Sequence, residues 1–380
     1  MQTTILPGKT IGILGGGQLG RMLCIAARAM GYRTEIYCPL GQGPASQAAD
    51  GWTARPWDDE DSLRKWLTQV DVVTVEFENV PATCMQLAES LRPARPGANV
   101  LRVAQHRLRE KQTLADAGLP VTPFASVTNW DDLVTAGEQL GWPLVLKTAT
   151  SGYDGKGQAV VRDATSGAEI ISQLVAAEFI AEKWIQFDRE VSVLVARGVD
   201  GQLTVYPAIE NTHRHHILDL SICPARDADR LQRQIIPIAR TVAESLDLVG
   251  LLCIEFFVTG AGEVMINEIA PRPHNSGHLT LEAFGCDQFQ QTIRAVCGIP
   301  LAEPVLLRSA AMVNLLGDLW NSQEPNWQAA LHVPETSLHL YGKPTPRPGR
   351  KMGHLTALGE SSSEAASRAI EARNLLTHCD

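Results

Sequence analysis

Residues 10–14 (TIGIL) form an unbroken apolar run that ends on the glycine-rich segment GGGQLG at 15–20, and a helix-forming stretch follows to Met30 before Gly31. A run that is apolar at every position reads as a strand buried on both faces. Glycine just past the last apolar position of a helix reads as its stop. A second strand at 34–38 (TEIYC) and a third candidate at 71–77 (DVVTVEF) repeat the pattern with apolar residues broken by single acids. Strands separated by helices dictate a parallel sheet, because a parallel pair needs a long crossover. The first ~100 residues therefore read as one doubly wound α/β domain.

GGGQLG fits G-x-G-x-x-G after a strand, the fingerprint of dinucleotide binding. The second strand, however, ends Tyr37-Cys38-Pro39 and lacks the acid that usually holds a nicotinamide cofactor's ribose. The turn can also hold a phosphate monoester on the free amides of the helix N-terminus.

A second glycine-rich segment lies within PLVLKTATSGYDGKGQAVV, residues 143–161. It reads as strand, loop, strand. Gly152, Gly155 and Gly157 let backbone amides approach an anion, and Lys147 and Lys156 add positive charge at both ends. The segment is either a lid over nucleotide phosphates or an ordinary hairpin with two solvated lysines. Around it, 101–117 reads as one helix closed by Gly118, and the prolines at 120 and 123 mark the start of a small α/β unit that runs to Ile185. Alternating strands follow at 190–196 and 203–209, turned at Asp200-Gly201, and then a long amphipathic helix at 227–246.

Glu255 and Glu268 are each embedded in an apolar strand, 251–258 and 263–269, joined by a glycine-rich turn. A buried carboxylate is costly unless it is paired or bound to a cation. Two of them on neighbouring strands can hold Mg2+, which takes one or two carboxylates plus substrate phosphates. Two separate ion pairs, with Arg272 for instance, would also satisfy them. Asn267 and Glu268 would face the same site only if the strand is irregular there, because strict alternation points them apart. PRPHNSGH at 271–278 follows at once, with Arg272, His274, Asn275 and His278 on a polar turn. RPGRKMGH at 347–354 gathers Arg347, Arg350 and Lys351 around Pro348-Gly349, either an anion site or a solvated basic loop.

The chain has 380 residues and a net charge of −9, which advertises no nucleic-acid surface. No run approaches the ~20 apolar residues that span a bilayer. The eight cysteines include no CxxC pair, which suits reduced thiols in a cytoplasmic protein better than a disulfide framework or zinc site.

GGGQLGRML at 15–23, EFENVP at 76–81, SGYDGKGQ at 151–158, CIEFF at 253–257, INEIAPRPHNSGH at 266–278 and RPGRKMGH at 347–354, in this order, resemble the N5-carboxyaminoimidazole ribonucleotide synthetases, ATP-grasp enzymes of bacterial purine synthesis. Ser151 stands where the family usually has glycine, and His106 where an acid is common. The resemblance implies an α/β (overall α+β) ATP-grasp fold: an N-terminal α/β domain over 1–103, an ATP-grasp region over 104–298 with its lid at about 121–185, and a C-terminal region over 299–380. It implies a homodimer whose partners are otherwise small molecules. The implied reaction joins bicarbonate to 5-aminoimidazole ribonucleotide at the expense of ATP, with Mg2+, or Mn2+ in its place.

The resemblance assigns ATP to Arg107, Lys147, the loop Gly152, Tyr153, Asp154, Gly155, Lys156, Gly157 and Gln158, the strand Glu182, Lys183, Trp184 and Ile185, and then Glu190, His213, Phe257, Asn267 and Glu268. It assigns the metal to Glu255 and Glu268. Chemistry at the bicarbonate and acceptor side falls to Tyr153, Asp154, Lys156, Lys351 and Arg350. The ribonucleotide falls to Gln18, Leu19, Glu76, Arg272, Asn275, Lys343, Arg350 and Lys351, with Glu76 turned to its ribose or amine. A nicotinamide oxidoreductase, a non-catalytic nucleotide-binding regulator and a sister ligase, such as a formate-dependent glycinamide ribonucleotide transformylase, are the rival readings.

Overall fold

The computed structural model describes residues 4–150, 157–174, 176–320 and 323–377. Three sheets carry the fold. The first joins β1 (Thr10–Leu14), β2 (Arg33–Cys38), β3 (Gly51–Ala54) and β4 (Val72–Val75) in the parallel order β3-β2-β1-β4. Every residue of β1 is buried, as its unbroken apolar run requires. The helix Gln18–Ala29 packs Leu19, Met22, Leu23, Ala26 and Ala27 inward at helical spacing. Gly31 accepts φ +82 just beyond it. The same core takes in Phe289, Ile293 and Val296 of the later helix Gln288–Cys297, so the first sheet is anchored to the rest of the chain.

The second sheet joins β5 (Phe124–Val127), β6 (Leu144–Thr148), β7 (Gln158–Val161) and β8 (Phe179–Lys183) in the order β5-β8-β6-β7. β6 and β7 pair antiparallel from Leu144 opposite Val161 to Lys147 opposite Gln158, so they flank the second glycine-rich segment. Gly152, Tyr153, Asp154, Gly155 and Lys156, assigned above to ATP and catalysis, lie outside the described residues.

The third sheet has nine strands: β9 (Phe187–Arg197), β10 (Leu203–Val205), β11 (Ile209–Arg214), β12 (Ile217–Cys223), β13 (Gly250–Thr259), β14 (Val264–Ala270), β15 (Ser309–Leu316), β16 (Thr336–Leu340) and β17 (Lys351–Gly359). Its order is β14-β13-β9-β11-β12-β15-β17-β16, with β10 on β9. The helix Ala228–Ser245 covers one face through Leu231, Ile235, Ala239 and Val242.

Two expectations need correction, and one condition set by the sequence is met. The single helix at 101–117 is two, Ala98–Ala104 and Arg107–Asp116. Gln105 between them spends its side-chain amide on the carbonyls of Glu78 and Val80, both at 2.6 Å, and His106 is extended. The single strand at 203–209 is instead β10 and the start of the β11–β12 hairpin. That hairpin turns on His215 and His216, with φ 51 and 63, a conformation normally marked by Asn or Gly. Finally, β14 is not regular. Glu255 sits opposite Glu268, but the next pair is Phe256 with Ile266, so Asn267 is the extra residue of a bulge. The irregularity breaks the alternation that would have separated Asn267 from Glu268.

Candidate functional site

The three sheets enclose a cleft of about 1010 Å3. The turn after β1 contributes Gln18 and Leu19, β6 and β7 contribute Lys147 and Gln158, and the end of β8 contributes Glu182, Lys183, Trp184 and Ile185. Arg107 enters from a helix start, and the large sheet supplies Glu190, His213, Glu255, Phe257, Asn267 and Glu268. The PRPHNSGH turn adds Arg272, His274, Asn275 and His278, and the start of β17 adds Lys351. Residues scattered over 300 positions of sequence thus meet in one cavity, because β13 and β14 form its floor between the small sheet and the N-terminal sheet.

One end is apolar. Phe187 and Phe257 stack with ring centroids 4.5 Å apart, beside the half-open Trp184. A planar base fits such a wall. Behind it, Glu182 is buried with one oxygen accepting from Lys147 Nζ at 3.1 Å and Thr122 Oγ1 at 3.1 Å. Lys111, only 1% exposed, stands 3.8 Å from that oxygen and donates to Thr122 Oγ1 and the Ile266 carbonyl. The other end is charged. His213 Nδ1 lies 2.6 Å from Glu190, and His274 Nε2 lies 2.9 Å from Glu255. Arg272 is held bidentately on Glu78, not on Glu255 or Glu268.

Besides Arg189 Nε, which lies 3.9 Å from the Asp188 carboxylate, three buried polar atoms of cleft-lining residues have no hydrogen-bond partner among the described residues: Glu182 Oε1, Asn267 Oδ1 and Asn275 Nδ2. Buried polar atoms are normally satisfied, so these mark where a ligand completes the hydrogen bonding. Asn267 Oδ1 is the most telling. It joins two facing carboxylates to give an oxygen-only donor set, which is what Mg2+ takes. Among the described residues no three His, Cys, Asp or Glu converge, so the protein offers few ligands and leaves room for phosphates and water.

The two carboxylates differ in charge behaviour. Burial works to raise the Glu255 carboxyl, but His274, His213 and Arg272 outweigh it and hold it down at about 2. Glu268 is raised, first by its enclosed position and then by repulsion from Glu255, against the pull of Lys147 and Arg107. Glu268 is exposed on the cleft side, and solvent screening softens that rise. A cation between them would relieve the repulsion.

Four expected site residues are placed differently. Glu76 does not face the cleft. It is buried, and its carboxylate accepts from the backbone N–H groups of Gly17 and Gly20, the latter at 2.7 Å. The helix N-terminus expected to hold a substrate phosphate thus already holds an internal anion, which leaves the neighbouring Gln18 and Leu19 on the cleft side. Arg350 turns away and donates to the Thr345 carbonyl at 2.7 Å. Lys343 donates to the Lys351 carbonyl at 2.6 Å and does not line the cavity. Gly157, at φ +72, also lies outside the cavity wall, and its carbonyl accepts from the Thr148 backbone N–H at 2.8 Å.

The buried Glu110–Lys111 step escaped notice in the sequence, because two adjacent charges on a helix read as a solvated face. Lys111→Ala should cost about 3–5 kcal/mol, since it leaves Glu182 and Thr122 short of a donor in the interior. A lower urea midpoint at unchanged slope would register it.

Acid sensitivity follows from the same charges. Burial raises Glu78 and Glu182, but Arg272 and the pair Lys111 and Lys147 outweigh it, so both are lowered, as is Glu255. A carboxyl lowered by folding stabilises the fold above its unfolded value, 4.5 for these groups, and loses that contribution as pH falls. Glu110, raised by burial, acts with the opposite sign as pH climbs. The melting temperature should therefore fall below pH 4.5, and Glu255→Gln should make that fall shallower, its share extending to about 2. Equal slopes for the two proteins would refute it.

Similarity to known proteins accords with this geometry. The ribonucleotide synthetase preATP-grasp domain matches 8–105, the ATP-grasp domain 112–289, and the phosphoribosylaminoimidazole carboxylase C-terminal domain 310–368. The N5-carboxyaminoimidazole ribonucleotide synthase of Bacillus subtilis is 39% identical over 95% of this chain and 94% of its own. The chain belongs to the N5-carboxyaminoimidazole ribonucleotide synthase family. A crystal structure of an N5-carboxyaminoimidazole ribonucleotide synthetase as its ADP complex superposes with TM-score 0.93 at 43% identity, covering 98% of each chain. The Aspergillus clavatus N5-carboxyaminoimidazole synthase, in complex with ADP and 5-aminoimidazole ribonucleotide, superposes with TM-score 0.87 at 29% identity over 97% of this chain and 98% of its own. This family member is accordingly an ATP-grasp ligase. Among its described residues no helix is long and apolar enough to cross a membrane, and the seven described cysteines are buried free thiols.

Proposed function

We propose that the chain carboxylates the exocyclic amine of 5-aminoimidazole ribonucleotide with bicarbonate, consuming ATP and releasing ADP and phosphate. The observation that carries this reading is the pair of facing carboxylates, Glu255 and Glu268, beside the unpartnered Asn267 Oδ1 and within the field of Lys147 and Arg107. That is a floor for phosphoryl transfer. The base would lie on Phe257 and Trp184, with Glu182, Lys183 and Ile185 at its edge, and the ribose near Glu190 and His213. Lys147, Arg107 and Gln158 would hold phosphates, with Gly157 and the assigned residues 152–156.

A bicarbonate oxygen attacks the γ-phosphorus and ADP leaves, giving carboxyphosphate. The amine then attacks the carboxyl carbon, phosphate leaves, and the amine loses a proton. Glu255, Glu268 and Asn267 would hold Mg2+ or Mn2+, which neutralises charge on the transferring phosphoryl group. Arg272, Asn275 and Lys351 would hold the anionic reactants and keep them together, away from bulk water. Gln18 and Leu19 would meet the ribonucleotide, and Asp154 would orient the amine or Lys351. We further propose that 1–103, 104–298 with a lid at 121–185, and 299–380 act as separate units, in a cytoplasmic homodimer.

ADP release measured with ATP tests the reading. It should require both bicarbonate and aminoimidazole ribonucleotide for coupled product formation. Release driven instead by formate and glycinamide ribonucleotide would move the chain to the sister ligase, and saturable NADH binding would overturn the reading altogether.

A further inference from the structure

A row of small polar residues crosses the large sheet beneath the charged end of the cleft. Glu255 on β13 lies opposite Ser192 on β9, and Asn211 on β11 lies opposite Ser221 on β12. These four strands are neighbours in the order β13-β9-β11-β12. Ser192, Ser221 and Ser276 are fully buried and Asn211 nearly so. Their side chains form an unbroken chain to His274. Ser221 Oγ is 2.8 Å from Asn211 Oδ1, Asn211 Nδ2 is 2.8 Å from Ser192 Oγ, and Ser192 Oγ is 2.7 Å from Ser276 Oγ. Ser276 Oγ is 2.8 Å from His274 Nδ1, and His274 Nε2 is 2.9 Å from Glu255 Oε1.

Each hydroxyl has one hydrogen, so the chain can run in only one direction at a time. Two ends fix which. His274 Nε2 faces Glu255 Oε1 at 2.9 Å, a distance that an Nε2–H donor to a carboxylate oxygen fills. The backbone N–H of Ser276 also points at His274 Nδ1, at 3.3 Å, and needs a lone pair there. Ser276 must then donate to His274, Ser192 to Ser276, Asn211 Nδ2 to Ser192, and Ser221 to Asn211 Oδ1. Reversal would require every group to turn at once in a dry interior, where unpaired polar atoms are costly.

We propose that this row is a one-way hydrogen-bond relay that fixes the tautomer of His274 and thereby commits Glu255 Oε1 to an internal bond, leaving Oε2 for the cation. Ser276, Ser192, Asn211 and Ser221 are positioning residues that act through His274. The second half of the inference rests on Glu255 being a cation ligand, and the first half does not.

The test uses the full chain labelled with 15N-histidine, free of metal and nucleotide, with His274 assigned through His274→Asn. The parent should show hydrogen on Nε2 and a bare Nδ1. Ser276→Ala should give averaged tautomers, and Ser276→Thr should restore the parent pattern. In the enzyme–ADP complex, Mn2+ binding followed by electron paramagnetic resonance should weaken about tenfold or more in Ser276→Ala and recover in Ser276→Thr, as for other outer partners of metal ligands. ADP affinity without metal should not change. If Ser276→Ala does not fold, Ser221→Ala at the far end carries the same two measurements. Hydrogen on Nδ1 in the parent, or an unchanged tautomer in the alanine variant, overturns the relay. If Glu255→Gln leaves Mn2+ affinity intact, the cation role falls while the nitrogen spectrum still decides the tautomer.

Discussion

Glu268→Gln is expected to lower turnover about a hundredfold to a thousandfold, in line with losing one preorganised electrostatic group at a transition state, while leaving the melting temperature unchanged or slightly higher. The two halves of this result have separate causes. Glu268 is open to the cleft, so glutamine costs the fold little. Its charge is repelled by Glu255, and removing that repulsion is mildly stabilising. In catalysis the same charge would hold a cation against the transferring phosphoryl group, where low dielectric makes it count. Glu255→Gln should lose activity similarly but should also disturb the fold, because Glu255 accepts from His274 and anchors a buried chain. Steady-state rates across a Mg2+ titration, with melting curves on the same samples, separate these effects. Near-parental turnover of both variants at limiting Mg2+ would remove the metal assignment.

The bulge at Asn267 shows how far the sequence carries and where it stops. Two acids inside apolar strands announce a site, since burying a carboxylate without compensation is prohibitive. Strand periodicity alone then sends Asn267 and Glu268 to opposite faces, and only the pairing register, Phe256 with Ile266, reveals the extra residue. The strand and stop signals of the N-terminal sheet were legible because they are local: an apolar run, a glycine at φ +82. Glu76 was misread for the opposite reason. Its role depends on Gly17 and Gly20, some 60 positions earlier, which supply its two hydrogen bonds. The β11–β12 hairpin carried no turn signal, since histidines occupy its two positive-φ positions. The polar row of Ser192, Asn211 and Ser221 was hidden as well, each residue reading singly as a tolerated small polar group in a strand.

Lys351→Ala should abolish carboxylation of the ribonucleotide, or uncouple it from ATP hydrolysis, while an ATP analogue binds with near-parental affinity. Lys351 opens β17 and is half-buried on the cleft wall. Two observations locate its charge. It acts on both His213 and His278, one on the large sheet and one on the PRPHNSGH turn. Three residues along the strand, His354 stacks on His278 with centroids 4.8 Å apart and bonds Tyr341 at 2.9 Å, which locks β17 to that turn. The ammonium is thus carried by rigid elements and lines the same cleft as Asn275, whose buried Nδ2 awaits an acceptor. A point charge so placed stabilises an oxyanion far better than one in water, because no solvent must reorganise. Its loss should therefore cost about a hundredfold or more in the carboxylation rate, whereas a lysine in a surface ion pair would contribute only ~0–1 kcal/mol. The nucleotide contacts proposed for Lys147, Arg107 and Glu182 do not involve it, so ATP affinity provides the internal control. Coupled formation of ADP and product within a few-fold of the parent would show that Lys351 is not part of the chemistry.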